Sequence, residues 1–385
     1  MKCSLTSAPK ALAAALALAV VAGCGPDDGL KELAQARSAV QAGDWRSAMK
    51  LLDESLAANP RNVDALVELA VVEQELGEIA AARATVERAA SLAPGDSDVI
   101  LLGAQIAFHA RDFEAARRGF AAIANDTALD GQLRASAWAG LGVVEMAGEQ
   151  DARDAARVAF LRALRLDFKN AAAHYHLGFL YRDGFGFNEA ALSELSIYVR
   201  LASAADRRVQ KVQRTHIPEL KETIARAAAE RPGAARRDSA ASAKALARAE
   251  AAVKAGKNDT ARDEYAAALK ADPLSFPAAL GLAKCWAKSA PSKKKGAPNP
   301  QAEALEAYRT ACQLNPNSVA TLLAAGDLAA RLGQHATAVR IYSQAMAANP
   351  SKLDAIDGLI RALRKAGRAN VAAVYQGYRD SLKHP

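Results

Sequence analysis

The chain has 385 residues, of which 51% are hydrophobic but only 5% aromatic, and its formal net charge is +8. Its 50 basic residues are interleaved with 42 acidic ones, and this dispersed excess argues against nucleic-acid binding. Alanine-rich stretches with few β-branched or aromatic runs indicate helices throughout, because alanine has the highest helix propensity.

The beginning of the chain has the pattern of an export signal. Lys2 and Lys10 supply positive charge, and residues 11–22 form an apolar run that is too short to cross a bilayer about 30 Å thick. The run ends in Val21-Ala22-Gly23-Cys24, which resembles the lipobox of bacterial lipoproteins. The resemblance implies that residues 1–23 are removed and that Cys24 receives diacylglycerol and an N-acyl chain such as palmitate, with no other cofactor.

An ordinary secretory signal with an incidental cysteine at its end is the alternative, but cleavage sites of that kind do not need a thiol. Residues 24–29 would form a lipidated tether. Each methylene of an acyl chain that is buried in the bilayer contributes about 0.8 kcal/mol of binding free energy, which holds a protein on a membrane surface. The lipoprotein resemblance also implies, from Gly25 after the cysteine, an outer-membrane anchor facing the periplasm.

Prolines reveal a repeat in the rest of the chain. Pro60 and Pro94 are 34 residues apart, as are Pro316 and Pro350, and each closes an alanine-rich stretch. We expect such a proline to end one helix and to begin the next, since it cannot donate a hydrogen bond to the preceding turn.

Small residues recur in phase with these prolines. Ala338 and Ala345 precede Pro350 by 12 and 5 residues, and Gly333 precedes it by 17. The same alanine spacing occurs in three further stretches, with Ala82 and Ala89, Ala261 and Ala268, and Ala304 and Ala311. Two antiparallel helices approach closely only where side chains are methyl-sized or absent, so the pattern predicts one crossing geometry repeated along the chain.

With these positions, the chain resembles the tetratricopeptide repeat family over most of residues 30–380. The family's larger positions are filled by Leu66, Leu69 and Val86 in the second unit, by Trp138, Leu141, Gly142, Phe160 and Ala163 in the fourth, and by Leu322, Gly326 and Tyr342 in the eighth. The resemblance predicts an all-α fold, namely an α-solenoid of about nine antiparallel helix-pair repeats in two arrays. The expected repeats span 29–62, 63–96, 97–130, 135–170, 171–204, 242–275, 276–318, 319–352 and 353–382.

The fifth repeat departs from the others. Its residues from Leu177 to Gly186 resemble the glycine loop of Sel1-like repeats. A phosphate-binding role for Gly184 and Gly186 is disfavoured, because no predicted strand precedes the loop.

The period breaks after the fifth repeat. We expect an N-terminal array over residues 30–204, a helical connector and linker over 205–240, and a C-terminal array over 241–385. The connector contains a basic cluster, which is more typical of a solvated helix face than of a contact with anionic lipid or polymer: Arg207, Arg208, Lys211 and Arg214.

The sequence shows no pattern that predicts catalysis or metal binding. Cys285 and Cys312 fall on the two helices of one repeat, where two buried thiols are favoured over a disulfide that an oxidising compartment would permit. His174 and His176 are two positions apart on a helix and point to different faces, which does not suit a shared metal ion. Carboxylates are scattered, so we expect no enzyme.

In this family the first helix of each pair lines a concave groove, and its inward positions can be carried over to this sequence. In the N-terminal array they are apolar or aromatic: Val67, Val71, Leu101, Phe108, Val143, Met146, Tyr175 and Phe179. In the C-terminal array they are charged: Glu250, Lys284, Asp327, Arg361 and Arg364. The family resemblance implies a peptide or helix in this groove; the alternative is that some of these side chains pack against neighbouring helices.

These observations predict a membrane-anchored scaffold or adaptor that binds a protein or peptide partner in envelope assembly or secretion. No nucleic acid and no small-molecule substrate are expected. A lipoprotein module that binds wall polymer or polysaccharide is the alternative, suggested by the C-terminal charges and by the basic residues 207–214.

Overall fold

The computed structural model describes residues 28–147, 152–290 and 298–383. Every regular element in these ranges is helical. The helices are α1 (Leu30–Ala42), α2 (Trp45–Ala58), α3 (Val63–Leu76), α4 (Ile79–Leu92), α5 (Ser97–His109), α6 (Phe113–Asn125), α7 (Gly131–Met146), α8 (Ala152–Leu166), α9 (Ala171–Phe179), α10 (Asn188–Leu201), α11 (Arg207–Lys211), α12 (Ile217–Ala229), α13 (Ser239–Lys254), α14 (Asn258–Ala271), α15 (Phe276–Lys288), α16 (Pro300–Leu314), α17 (Val319–Arg331), α18 (His335–Ala348), α19 (Leu353–Lys365) and α20 (Ala369–Lys383).

Helices that are neighbours in the chain pack as pairs, from α1 with α2 to α19 with α20. Each expected repeat span corresponds to one such pair, although α7 begins at Gly131 and not within 135–170, α13 begins at Ser239 and not within 242–275, and α20 ends at Lys383, one residue beyond 382. In the fifth repeat a π-helical turn, Leu180–Phe185, extends α9 and packs against α10. The prediction of an all-α solenoid of helix pairs is confirmed.

The helices form two compact units, one ending at Ala173 and the other beginning at His174, within α9. The expected connector, residues 205–240, lies inside the second unit. Its α11 and α12 are joined by a π-helical turn, Val212–His216, and α12 packs against α10. The fifth repeat from His174 onward therefore lies in the same unit as the connector and the C-terminal repeats.

The alanines that repeat in phase lie at the helix crossings. All eight are fully buried: Ala82, Ala89, Ala261, Ala268, Ala304, Ala311, Ala338 and Ala345. Glycines allow a still closer approach. An added Cβ at Gly142 would lie 2.4 Å from Cε1 of the buried Phe160 ring. The small-residue pattern in the sequence thus specifies where the backbones come together.

The prolines act differently from the expectation. Pro60 lies in the turn after α2, and α3 begins at Val63 with Asn62 as its N-cap. The Asn62 side chain accepts a hydrogen bond from the Ala65 N–H at 3.1 Å. The prediction that the proline begins the next helix is wrong at Pro60: the proline follows the end of α2, and α3 begins three residues later, capped by the Asn62 side chain, which supplies the acceptor that a cap needs.

In the seven repeats whose inner turn is fully described, that turn uses a residue in the left-handed region. Gly77 and Gly333 have φ values of 83° and 72° there. Gly186, in the loop likened to Sel1-like repeats, occupies the same place two residues before α10, with φ of 68°. The third repeat has Arg111 at this place, with φ of 63°. Gly186 therefore meets the same backbone requirement as the other turn glycines.

Candidate functional site

The first helices of successive repeats lie side by side. In the first unit α1 contacts α3, α3 contacts α5, and α5 contacts α7; in the second unit α17 contacts α19. Contacting first helices therefore bring their partner positions onto one surface, and we call the surface of the first helices of a unit the first-helix face.

The apolar positions of the first unit are largely taken up by packing. Val143 is 1% exposed, and Phe108 and Leu101 are 7% and 9% exposed. Val67 and Val71 are half-buried and pack against the core. The packing interpretation therefore applies to Val143, while Val67, Val71 and the half-buried Met146 keep part of their surface in solvent.

The two aromatic positions of the fifth repeat pack against the chain's own residues, and one of them, Phe179, is contacted by the connector. The Phe179 ring is 8% exposed, and its centroid lies 5.1 Å from that of His216 in the π-helical turn. The Arg182 guanidinium lies 4.5 Å from the Phe179 centroid. The Tyr175 ring packs against Phe179 and Tyr198, at 4.9 and 5.0 Å. The chain's own residues thus cover much of the surface that the sequence assigned to a partner.

The two neighbouring histidines have separate surroundings, as their spacing predicts. His174 Nδ1 lies 2.6 Å from Glu194 Oε2. Burial, followed by the charge of Arg208, lowers the pKa of His176 to about 4, so that side chain is neutral at pH 7. Within the described ranges no three His, Cys, Asp or Glu side chains converge closely enough to hold a metal ion.

The charged positions of the C-terminal repeats face solvent. Lys284, Asp327, Arg361 and Arg364 are all exposed, on α15, α17 and α19. Glu250 on α13 is exposed as well, so three of the five charged positions are basic and two are acidic, and this part of the first-helix face presents a small net positive charge to a partner.

A buried tyrosine helps to organise this face. The Tyr342 hydroxyl donates a hydrogen bond to Asp327 Oδ1 at 2.5 Å. Burial and then the neighbouring Asp327 carboxylate raise the pKa of Tyr342, while Arg361 opposes the shift. Its ring fits against Gly326 and Gly358, where an added Cβ would lie 2.7 and 2.4 Å from Tyr342 Cε1. One side chain from α18 therefore joins α17 and α19.

Sequence reasoning placed Tyr342 only among the large core positions and missed its contact with a partner position. The available signal was the residue type itself. A tyrosine hydroxyl buried in a helix crossing needs a hydrogen-bond partner, whereas phenylalanine, which fills the similar position at Phe160, does not.

Cys285 and Cys312 are free, buried thiols. Burial raises the pKa of Cys312 to about 12 and also raises the pKa of Cys285. Thiols with raised pKa values are poor nucleophiles at pH 7, because little thiolate is present.

The membrane-anchor hypothesis rests on Cys24 and on the apolar run before it. Cys24 and the apolar run before it lie outside the described residues. Among the residues that are described, no helix combines the length and the apolar character needed to span a bilayer.

Comparison with known families gives two matches. Models of the tetratricopeptide repeat match residues 39–106 and residues 246–319, the first in the N-terminal repeats and the second in the C-terminal repeats. No curated protein matches the sequence.

Several solved structures are similar over part of the chain. MamA from Desulfovibrio magneticus RS-1 is 18% identical, with a TM-score of 0.38 over 48% of this chain and 99% of that one. PilF from Pseudomonas aeruginosa is 16% identical, with a TM-score of 0.40 over 68% of this chain and 98% of that one.

The two matched stretches include six of the eight buried alanines and the turn glycine Gly77. Tetratricopeptide repeats are typically non-catalytic and bind other proteins on their helical surfaces. The chain therefore contains stretches that match tetratricopeptide repeats, over residues 39–106 and 246–319, and these repeats support a role as a protein-interaction scaffold.

Proposed function

We propose that this protein is a lipid-anchored adaptor that binds a protein partner through the charged first-helix face of its C-terminal repeats, in envelope assembly or secretion. The observation that carries the proposal is the exposure of Lys284, Asp327, Arg361 and Arg364 on consecutive first helices. In this role the protein holds its partner and performs no catalysis.

The charge of the face suggests the character of the partner. Arg361 and Arg364 are both exposed on α19, and Arg364 donates a hydrogen bond to the neutral amide oxygen of Gln376 on α20, at 3.5 Å. Exposed guanidinium groups pair readily with carboxylates in a bidentate manner. We therefore expect a partner segment that is rich in acidic side chains.

Charge reversal on α19 tests this role. The tagged full-length protein is used to capture partners from a detergent extract, as wild type and as the double variant Arg361→Glu, Arg364→Glu. We expect the variant to lose the captured partner, with at least about tenfold weaker binding once the partner is purified, because like charges then oppose each other.

The matched control reverses two exposed lysines on second helices, Lys50→Glu and Lys270→Glu. This control should keep the partner, and circular dichroism should show unchanged helix content in both variants. Equal capture by the wild type and the α19 variant, or capture of no protein at all, would refute the proposed face.

The membrane anchor is the second part of the proposal. It is supported by Val21-Ala22-Gly23-Cys24 after a short apolar run. In cells fed labelled palmitate, we expect label on the wild type and on Cys3→Ser, whose cysteine leaves with the signal, but none on Cys24→Ser. Fractionation of the labelled membranes should place the protein in the outer membrane; label on Cys24→Ser would exclude this anchor.

Wall polymer is the second candidate partner. The observation that favours it is the exposure of Arg207, Lys211 and Arg214 on one short stretch of the connector. Sedimentation with purified wall polymer separates the two candidates: an adaptor stays in the supernatant, whereas a polymer-binding module pellets and is released by salt.

A further inference from the structure

A cavity of about 380 Å³ lies within the second unit, away from the first-helix face. Its wall is formed by the end of the fifth repeat at Phe185 and Phe187, by Arg231 after α12, by Gln313 on α16, and by Arg340 on α18. We call it the Arg231 cavity. Pockets that bind small molecules commonly measure about 300–1,000 Å³, so its size suits a small ligand.

Two guanidinium groups on this wall lack a carboxylate partner. Within the described parts of the chain, neither Arg231 nor Arg340 forms an ion pair, and the contact of Arg231 is with the neutral amide oxygen of Gln313, at 3.4 Å. Glu189 lies on the same wall but pairs with neither arginine. Arg231 is half-buried, and burial lowers its pKa.

A partly desolvated cation without a counter-ion is unfavourable, and proteins usually resolve it with a carboxylate. Several arginines in the second unit follow this rule. Arg237, for example, binds Asp272 through two hydrogen bonds of 2.8 and 3.1 Å. The Arg231 cavity therefore has positive charge to spare for an anion from outside the chain.

The remaining wall suits an organic ligand better than a bare ion. The rings of Phe185 and Phe187 are stacked, with centroids 5.6 Å apart and planes 17° apart, and both line the cavity. Gln313 and Gln344 add amide groups that can donate and accept hydrogen bonds. Gly186, which separates the two phenylalanines, also lies on the wall.

We infer that the Arg231 cavity binds a small organic anion, with a carboxylate or phosphate group held by Arg231 and Arg340 and a body that contacts the Phe185 and Phe187 rings. Acidic sugars combine these features, because one face of a sugar ring is apolar and its edge carries hydroxyl groups. Gln313, Arg340 and Gln344 belong to second helices, so this site is distinct from the proposed protein-binding face. It departs from the sequence-based expectation that no small molecule binds.

Three probes with the same hexose body test the inference by isothermal titration calorimetry on the full-length protein in detergent. D-glucuronate carries a carboxylate, glucose 6-phosphate carries a phosphate, and D-glucose is neutral. We expect at least one charged sugar to bind at least about tenfold more tightly than glucose, since charge-assisted hydrogen bonds are about twice as strong as neutral ones. The two charged probes distinguish a carboxylate ligand from a phosphate ligand.

Substitutions of residues that line the Arg231 cavity should change its affinity for the charged sugar in opposite directions. Arg231→Gln and Arg340→Gln should each weaken binding of the charged sugar about tenfold or more, while Glu189→Gln should strengthen it several-fold by removing a like charge. Arg248→Gln, at an exposed arginine of α13 outside the cavity, should leave affinity unchanged. Misfolding could explain weaker binding in the arginine variants, but it cannot explain tighter binding. A gain in affinity for Glu189→Gln therefore supports a direct effect of charge on the ligand.

The inference fails if none of the three sugars binds, if glucose binds as tightly as the charged sugars, or if Arg231→Gln and Arg340→Gln leave the affinity unchanged. It also fails if Arg248→Gln weakens binding as strongly as they do. None of these results bears on the partner captured through Arg361 and Arg364, so the two proposals are tested independently.

Discussion

The methyl side chains of buried alanines define how closely the helices of this protein approach one another. Ala338 is fully buried on α18, whereas Ala336, two positions away on the same helix, is exposed. We expect Ala338→Leu to overpack the crossing and to cost about 1–3 kcal/mol of unfolding free energy. Thermal unfolding measures the loss, and Ala336→Leu should melt like the wild type. Equal melting of both variants would show that the repeat register is wrong.

The buried His176 provides a prediction of pH dependence. Its pKa is lowered from 6.5 to about 4, mainly by burial, so the folded state resists protonation that the unfolded state accepts. This contribution to stability is fully present above about pH 6.5 and is lost as the pH falls toward 4. Between pH 7 and pH 5 the loss is about 1–2 kcal/mol.

The measurement is the fall in melting temperature between pH 7 and pH 5 for the wild type and for His176→Gln. Glutamine cannot take up a proton, so the fall should be smaller in the variant, even if the variant is less stable at pH 7. A fall as large as in the wild type would assign the acid sensitivity to other groups.

The turn between the two helices of a repeat requires a residue that can adopt a left-handed backbone. Arg111 is exposed and holds a left-handed backbone with φ of 63°, where other repeats have glycine. A residue with a Cβ is destabilised by about 1–2 kcal/mol in that region. Glycine avoids this cost but lowers the stability by about 0.5–1 kcal/mol, because it makes the unfolded chain more flexible. We expect Arg111→Gly to stabilise the protein by up to about 1 kcal/mol.

Urea unfolding of Arg111→Gly and Arg111→Ala separates the backbone effect from the loss of the side chain. Alanine keeps the Cβ and should bring no gain in stability. If both variants are stabilised equally, the arginine side chain and not the turn geometry is the cause.

At the scale of the whole molecule, the repeat architecture makes stability local. Leu66 is fully buried in the core of the first unit, and Leu66→Ala should cost about 2–5 kcal/mol there. In a repeat protein each element contacts mainly its neighbours, so destabilisation should remain within one unit. Hydrogen exchange should speed up across residues 30–146 and stay unchanged across residues 239–383.

Faster exchange across the C-terminal repeats in Leu66→Ala would show that the two units unfold together. Ala338→Leu provides the reciprocal measurement, since its effect should be confined to the second unit. Together the two variants test whether the division after Ala173 describes how the molecule unfolds.

The sequence predicted the helix pairs correctly because their determinants are local and periodic. Alanines at constant spacing, turn glycines and closing prolines each act on nearby backbone, so nine repeat spans could be predicted without coordinates. The role of proline was misjudged at Pro60, because the helix start depends on the side-chain cap at Asn62, which the proline spacing does not reveal.

The positions of the candidate sites were decided by the tertiary structure. Periodicity places Val143 and Arg361 on equivalent helix faces, yet the first is buried and the second exposed, because exposure depends on what packs against each helix. The hydrogen bond from Tyr342 to Asp327, the covering of Phe179 by His216, and the cavity around Arg231 all join residues that are distant in the chain. The sequence by itself therefore determined the repeats, which rest on local backbone preferences, and only the packing of distant elements determined which side chains remain available to a ligand.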